Sequence, residues 1–218
     1  MLHRSNEITL SEDDQIPIAK SKSRGRQRSE ESEEAILKAT LLLLKEKPLR
    51  DVTIDEIARR AGVGKATIYK WWPSKAYVAL DAYTRNISRS VPIPDTGSAE
   101  TDFKEQLHSL YAFYASGAGH IFRQFLAEAQ SDKEFARLFR ERFLKPRREA
   151  IGVIFDRAVK RGEIEKNLDR ELVMDMIYGP GIFRLLVEHA PLNRKAADSI
   201  ISTLYRGLRV SSAKTKKR

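Results

Sequence analysis

Residues 53–75 read TIDEIARRAGVGKATIYKWWPSK, and this stretch decides the fold. Thr53 and Glu56 have the Thr-x-x-Glu spacing of a capping box, so a helix is expected to start just after Thr53. Ile54, Ile57, Ala58 and Ala61 then share one face of a short helix that Gly62 ends. Gly62-Val63-Gly64 makes a turn, and a second short helix is expected from Lys65 to about Trp71, stopped by Pro73. Two short helices joined by a glycine turn form a helix-turn-helix, in which the second helix enters the major groove. Ile68 and Trp72 supply its buried side, against Val63 of the turn and Ile57 of the helix before it. Lys65, Thr67, Tyr69, Lys70 and Trp71 face outward. Lysine pairs with guanine acceptors or phosphate, hydroxyls bond phosphate oxygens, and apolar atoms meet thymine methyls. A polar outward face is also what any short amphipathic helix presents.

Working outward, a helix is expected from about Glu30 to Glu46, with Glu30, Glu31, Glu33 and Glu34 in its opening turns, where the macrodipole favours carboxylates. Downstream, Ser74 is positioned to cap a helix from Lys75 to about Arg89. The loop SVPIPDTGS follows, the only internal stretch rich in Pro, Gly and Ser, and it marks a boundary between a head and a body. The body pattern gives helices near Glu100 to Ser116, His120 to Gln130, Asp132 to Arg161 with a break or kink at Pro146, Asp169 to His189, and Asn193 to Arg209. No stretch alternates apolar with polar as a half-buried strand does, so the fold class is all-α. The chain divides into a flexible basic arm (1–29), a head (30–89), a body (90–209) and a flexible basic tail (210–218).

The formal net charge is +10, with 40 Lys and Arg against 30 Asp and Glu, and a polyanion is the first partner to consider. The two tails hold more than half of that excess, so bulk charge does not identify the function. The arm ending Arg24-Gly-Arg26-Gln-Arg28 has two readings: it lies along phosphates or in a minor groove, with Arg26 and Arg28 as contacts, or it is a solvated tail. With no cysteine, disulfides, thiolate metal sites and a catalytic thiol are excluded. No apolar run reaches the roughly 20 residues of a membrane span, and the first residues do not read as a secretory signal. The expected location is the cytoplasm.

Residues 53–75 resemble the signature of the TetR family of bacterial transcriptional regulators: a Thr, then Ile-Ala, Ala-Gly-Val, Thr-aliphatic-Tyr, an aromatic, and a Lys opening the fourth helix. The body resembles one branch of that family in LKPRREA (144–150), AVKRGEI (158–164) and MIYGPGIFRLL (176–186). The resemblance implies that Thr53, Tyr69 and Lys75 touch DNA phosphates. It also places Lys65, Ala66, Thr67, Lys70 and Trp71 toward the major groove. Gly64 departs from the pattern where a capping Ser is common, and Trp71 stands where His or a polar residue is frequent. The family further implies a homodimer through the last two helices and a body cavity for a small-molecule effector, apolar or amphipathic. The function expected is therefore repression from a palindromic double-stranded DNA operator that an effector relieves. The rival is a DNA-binding adaptor controlled by a protein partner.

Leu172, Met176, Ile177, Ile200, Ile201, Leu204 and Leu208 are candidates for the dimer seam, although intrachain core explains them nearly as well. Tyr111, Phe122, Phe125, Phe143 and Tyr178 are candidate ligand contacts, with Phe139 and Phe183 in the same aromatic set; plain core is the alternative for all of them. Gly179-Pro180-Gly181 is expected to bend or open its helix, serving a pocket wall or the close approach of a neighbour. Nothing points to catalysis. There is no His-Glu-x-x-His, no glycine-rich phosphate loop, and only one Glu-x-x-His pair, at Glu105 and His108. No cofactor, metal or membrane partner is expected.

Overall fold

The computed structural model describes residues 24–208, with side chains from residue 28 onward. Those residues form α1 (Arg24–Glu46), a 3₁₀ turn (Leu49–Asp51), α2 (Ile54–Ala61), α3 (Lys65–Tyr69), α4 (Lys75–Ser90), α5 (Ala99–Phe113), α6 (Gly119–Ser131), α7 (Lys133–Phe139), α8 (Lys145–Lys160), α9 (Arg170–Val187) and α10 (Arg194–Leu208). No strand occurs among them. The arm before residue 24, the side chain of Arg26 and the tail from residue 209 lie outside the described residues.

The first helix corrects the sequence reading. It begins at Arg24, so the four glutamates stand in its second and third turns and none is in its first. Two of them act laterally instead: Glu33 pairs with Arg85 and Glu34 with Arg89 on α4. Arg28 is accordingly an exposed residue of a helix and not part of an arm. α1 packs against α2 and α4, burying Ile36, Leu37, Leu43 and Leu44.

In the body, α5 packs on α8 and α10, and α9 lies against α6, α8 and α10. Two joints are π-helical turns where separate helices or a break were expected. Tyr114–Ala118 links α5 to α6, with Gly117 at φ 95°, a conformation that costs a residue with a Cβ dearly. Arg140–Leu144 links α7 to α8 and ends two residues before Pro146. Proline has no N–H to return to the preceding turn, and widening that turn accommodates the missing bond without breaking the helix. Pro180 likewise lies inside a continuous α9.

The seven candidate seam residues divide. Ile177, Ile201 and Leu208 are buried within the chain and are core. Ile200 and Leu204 are half-buried, while Leu172 and Met176 are exposed. Three exposed apolar residues at the end of α9, Phe183, Leu186 and Val187, extend that surface and were not in the set.

Candidate nucleic-acid interface and body cavity

The short helix α3 exists because its neighbours hold it. Thr53 caps α2, its hydroxyl accepting from Glu56 N–H at 3.2 Å while the Glu56 carboxylate accepts from Thr53 N–H at 3.1 Å. Lys47 and Thr53 together hold the Glu56 carboxyl below its ordinary pKa. At the other end, Gly62 adopts φ 68°. Its N–H donates to Arg59 O at 3.3 Å and Val63 N–H donates to Ala58 O at 3.0 Å, the paired bonds of a Schellman stop. That left-handed residue turns the chain into α3. Gly64 supplies no side-chain cap to α3.

α3 has five residues, shorter than read from the sequence, and one buried side chain, Ile68. Trp72, just beyond it, is buried too, and its indole N–H donates to Asp81 on α4 at 2.8 Å. Tyr69 is 54% exposed, and Lys65, Ala66 and Lys70 are exposed with it. Trp71 is half-buried, its ring edge-to-face with Trp72 at 5.5 Å, and the Lys70 ammonium lies 5.9 Å from its centroid. Trp71 is thus divided between core and surface. Lys65 pairs with Asp55 at 2.9 Å, an exposed contact of the kind that holds weakly. Lys75 donates to the carbonyls of Arg50 at 2.6 Å and Val52 at 2.8 Å, which leaves one of its three donors for a phosphate. Thr53 has its hydroxyl engaged in the capping box. Arg28 stands exposed on α1.

The body holds a cavity of about 350 Å³, walled by α4, α5, α6, α9 and the α7–α8 run. Of the candidate ligand contacts, Phe122, Phe143 and Tyr178 line it. Phe125 and Tyr111 do not. Phe125 is wholly buried between Tyr83, Phe135 and Phe139. Tyr111 faces Gly181, where a Cβ would come within 2.8 Å of its ring. The glycine pair around Pro180 therefore serves both expected purposes, Gly181 admitting a neighbour and Gly179 standing in the cavity wall. Phe139 lines the cavity, whereas Phe183 is an exposed residue against His189.

Sequence reasoning missed most of the aliphatic wall, including Ile87, Leu110, Ile151, Met174 and Ile182, and it missed the charged group Arg147. A signal for the last was present. Phe143, Arg147 and Ile151 are spaced i, i+4, i+8, so the arginine stands in an apolar stripe. Burial lowers the Arg147 pKa from its ordinary value.

The cavity is continuous with the head through aromatic packing. Tyr83 of α4 touches Phe113, Phe122, Phe125 and Phe143 at centroid distances of 5.4–6.1 Å, and its hydroxyl donates to Ala118 O in the first π-helical turn. Burial pushes the phenol pKa far up, so it stays a donor. Gln124 of α6 donates to Leu44 O of α1 at 3.1 Å, a second link. Elsewhere, His108 bonds Asp198 at 2.7 Å, and no cluster of metal-ligating side chains occurs among the described residues. No described helix is long and apolar enough to cross a membrane.

Comparison with known proteins places these features. Residues 36–81 match the family described as bacterial regulatory proteins, tetR family, and residues 93–204 match the tetracyclin repressor-like C-terminal domain. The helix-turn-helix transcriptional regulator YdeS of Bacillus subtilis is 37% identical over 190 residues, covering 87% of this chain and 96% of that protein. Among solved structures, the TetR family transcription regulator SCO0332 aligns with TM-score 0.72 at 28% identity, over 83% of this chain and all of that one. FadR of Bacillus subtilis, solved in complex with stearoyl-CoA, shares the fold with TM-score 0.63 at 18% identity, over 83% of this chain and 99% of that one.

Proposed function

The chain belongs to the TetR family and is a DNA-binding transcriptional regulator, and from that premise we propose that it is a homodimeric repressor released from a palindromic operator by a small molecule bound in the body. The observation that carries the ligand-responsive part is the shared aromatic cluster: Phe122 and Phe143 line the cavity and also pack on Tyr83 of α4. Five residues separate α3 from α4, so a ligand that displaces those rings acts on the helix that carries the reading head. That FadR of Bacillus subtilis was solved with stearoyl-CoA supports a ligand-holding body in this fold.

On DNA, Lys65, Ala66, Thr67, Lys70 and the exposed edge of Trp71 meet base edges, while Tyr69, Arg28 and the remaining donor of Lys75 meet phosphates. Thr53, expected among the phosphate contacts, spends both its hydroxyl and its N–H on Glu56 and serves as the cap of α2 instead. The exposed apolar strip of α9 from Leu172 to Val187, with Ile200 and Leu204 of α10, forms the dimer seam. Selection of bound sequences from random duplex DNA tests the reading. It should return an inverted repeat whose half-sites are about 34–36 Å apart or a multiple of that. Recovery of single, unrepeated sites would sink the dimeric repressor.

A further inference from the structure

Rested on the reading of the cavity as an effector site, the effector's chemistry is legible in one side chain. Arg147 projects from α8 into the wall of an otherwise mainly apolar cavity. Its one hydrogen bond among the described residues is long, Nη1–H donating to the Val91 carbonyl at 3.5 Å. Its Nη2 is buried without a hydrogen-bond partner. The neighbouring Arg148 differs, holding Glu171 at 2.7 Å and Asp175 at 2.6 Å, so the one carboxylate in the cavity wall is already engaged. The phenols around Arg147 do not supply the missing charge. Tyr178 donates to Gln106 at 2.8 Å, Tyr83 donates to Ala118 O, and burial raises the pKa of Tyr83, Tyr114 and Tyr178 alike, keeping all three neutral.

Arg147 is half-buried with its Nη2 wholly so; a guanidinium is always charged, and a charge drawn partly out of water is costly unless it is paired. We propose that the effector is an apolar carboxylic acid, whose carboxylate pairs with Arg147 and whose hydrocarbon part fills the space between Phe122, Phe143, Ile151 and Ile182. A single planar cation matches a single planar anion in fork geometry. A dianionic phosphate would leave a second charge uncompensated in the same wall.

The test uses the full chain and matched straight-chain acids and alcohols of six to fourteen carbons, with affinity measured calorimetrically. At the best-fitting length the acid should bind at least tenfold more tightly than the alcohol. Arg147→Met should abolish that preference while leaving alcohol binding in place, and Arg147→Lys should restore part of it. Arg147→Met should also raise the unfolding midpoint of the ligand-free protein, because it removes an unpaired charge; a purely structural arginine would give a lower midpoint. Equal binding of acid and alcohol, no binding by any member, a preference that survives in Arg147→Met, or a lowered midpoint overturns the proposal. Operator release is scored separately. Acid preference without release keeps this inference and removes the effector reading. Release by an uncharged compound that binds equally to Arg147→Met does the reverse.

Discussion

The head and the body solve opposite packing problems. In the head, a five-residue helix has one buried side chain and is held by a capping box, a left-handed glycine and an indole hydrogen bond, so nearly all its remaining surface is outward. In the body, α5 to α9 bury a dense set of aromatic rings and still leave a void of about 350 Å³ between them. Close packing is the rule in protein interiors, and a void forfeits contacts that a filled core would have. The head is thus rigid by local bonds and presents its chemistry outward; the body keeps space and presents its chemistry inward. The proposed ligand-responsive regulator needs both, since a groove reader must be preorganised and a ligand sensor must have somewhere to put the ligand.

The sharpest way to break the head without touching the body is Ile68→Ala. Ile68 is fully buried and is the one buried side chain of α3. The change should cost about 2–5 kcal/mol and abolish operator binding. Cavity ligands should bind as before, measured by thermal shift on the same sample. Loss of both activities together would mean that head and body do not behave as separable units.

In the body, the two glycine positions that flank Pro180 should respond with opposite sign. Gly181→Ala drives a Cβ to within 2.8 Å of the buried Tyr111 ring and should destabilise by about 1–3 kcal/mol. Gly179→Ala meets nothing within 4 Å and should stabilise by about 0.4–1 kcal/mol, while weakening ligand binding because the methyl enters the cavity wall. Chemical denaturation reads both. Equal effects at the two positions would show that Gly181 is not the point of close approach.

Thr53→Ala probes the local bonds of the head and should cost about 1 kcal/mol. It should also change the acid response. Lys47 and Thr53 depress the Glu56 carboxyl in the folded state, so this group contributes stability above the ordinary carboxylate range and loses it as pH falls through the depressed value. Removing the Thr53 hydroxyl removes part of that depression. The gap in melting temperature between wild type and Thr53→Ala should therefore narrow as pH falls from about 7 to about 3. A constant gap would confine the Thr53 effect to the helix cap.

The same contrast explains what the sequence discloses. The capping box, the glycine stop and the single buried Ile68 are signals within sixteen residues, and each has one structural meaning. The cavity is drawn from Ile87 to Ile182 across six elements, and periodicity reports that a side chain turns inward without reporting whether space lies behind it. Phe122 and Phe125 show the difficulty. They stand three residues apart on one face of α6, yet one lines the cavity and the other fills the core. The start of α1 failed for another reason: two of the glutamates that suggested a helix opening, Glu33 and Glu34, are spent on arginines of α4, a tertiary pairing with no local trace. The seam candidates divide for a similar reason, since Ile177 and Ile201 share apolar character with Leu172 and Met176 but not exposure.

The smallest expected effect lies between the two regions. Tyr83 belongs to α4 of the head, but its ring packs on Phe122 and Phe143 of the cavity wall, and its hydroxyl donates to Ala118 O, beside Gly117 with its positive φ. Tyr83→Phe keeps the ring and deletes that one bond, which should cost about 0.5–1.5 kcal/mol of stability. Head geometry depends on Ile68, Thr53 and Trp72 and not on this hydroxyl, so ligand-free operator affinity should hardly change. A ligand acts on the operator only through its differential affinity for the two body conformations. Loosening the π-helical turn from α4 should reduce that difference, and the ligand-driven change in operator affinity should shrink by about 0.5–1 kcal/mol. The comparison is operator titration with and without any cavity ligand identified by thermal shift, in wild type and variant. If Tyr83→Phe weakens ligand-free operator binding as much as it weakens the response, Tyr83 supports the head itself and the coupling must run through Gln124 and Leu44 instead.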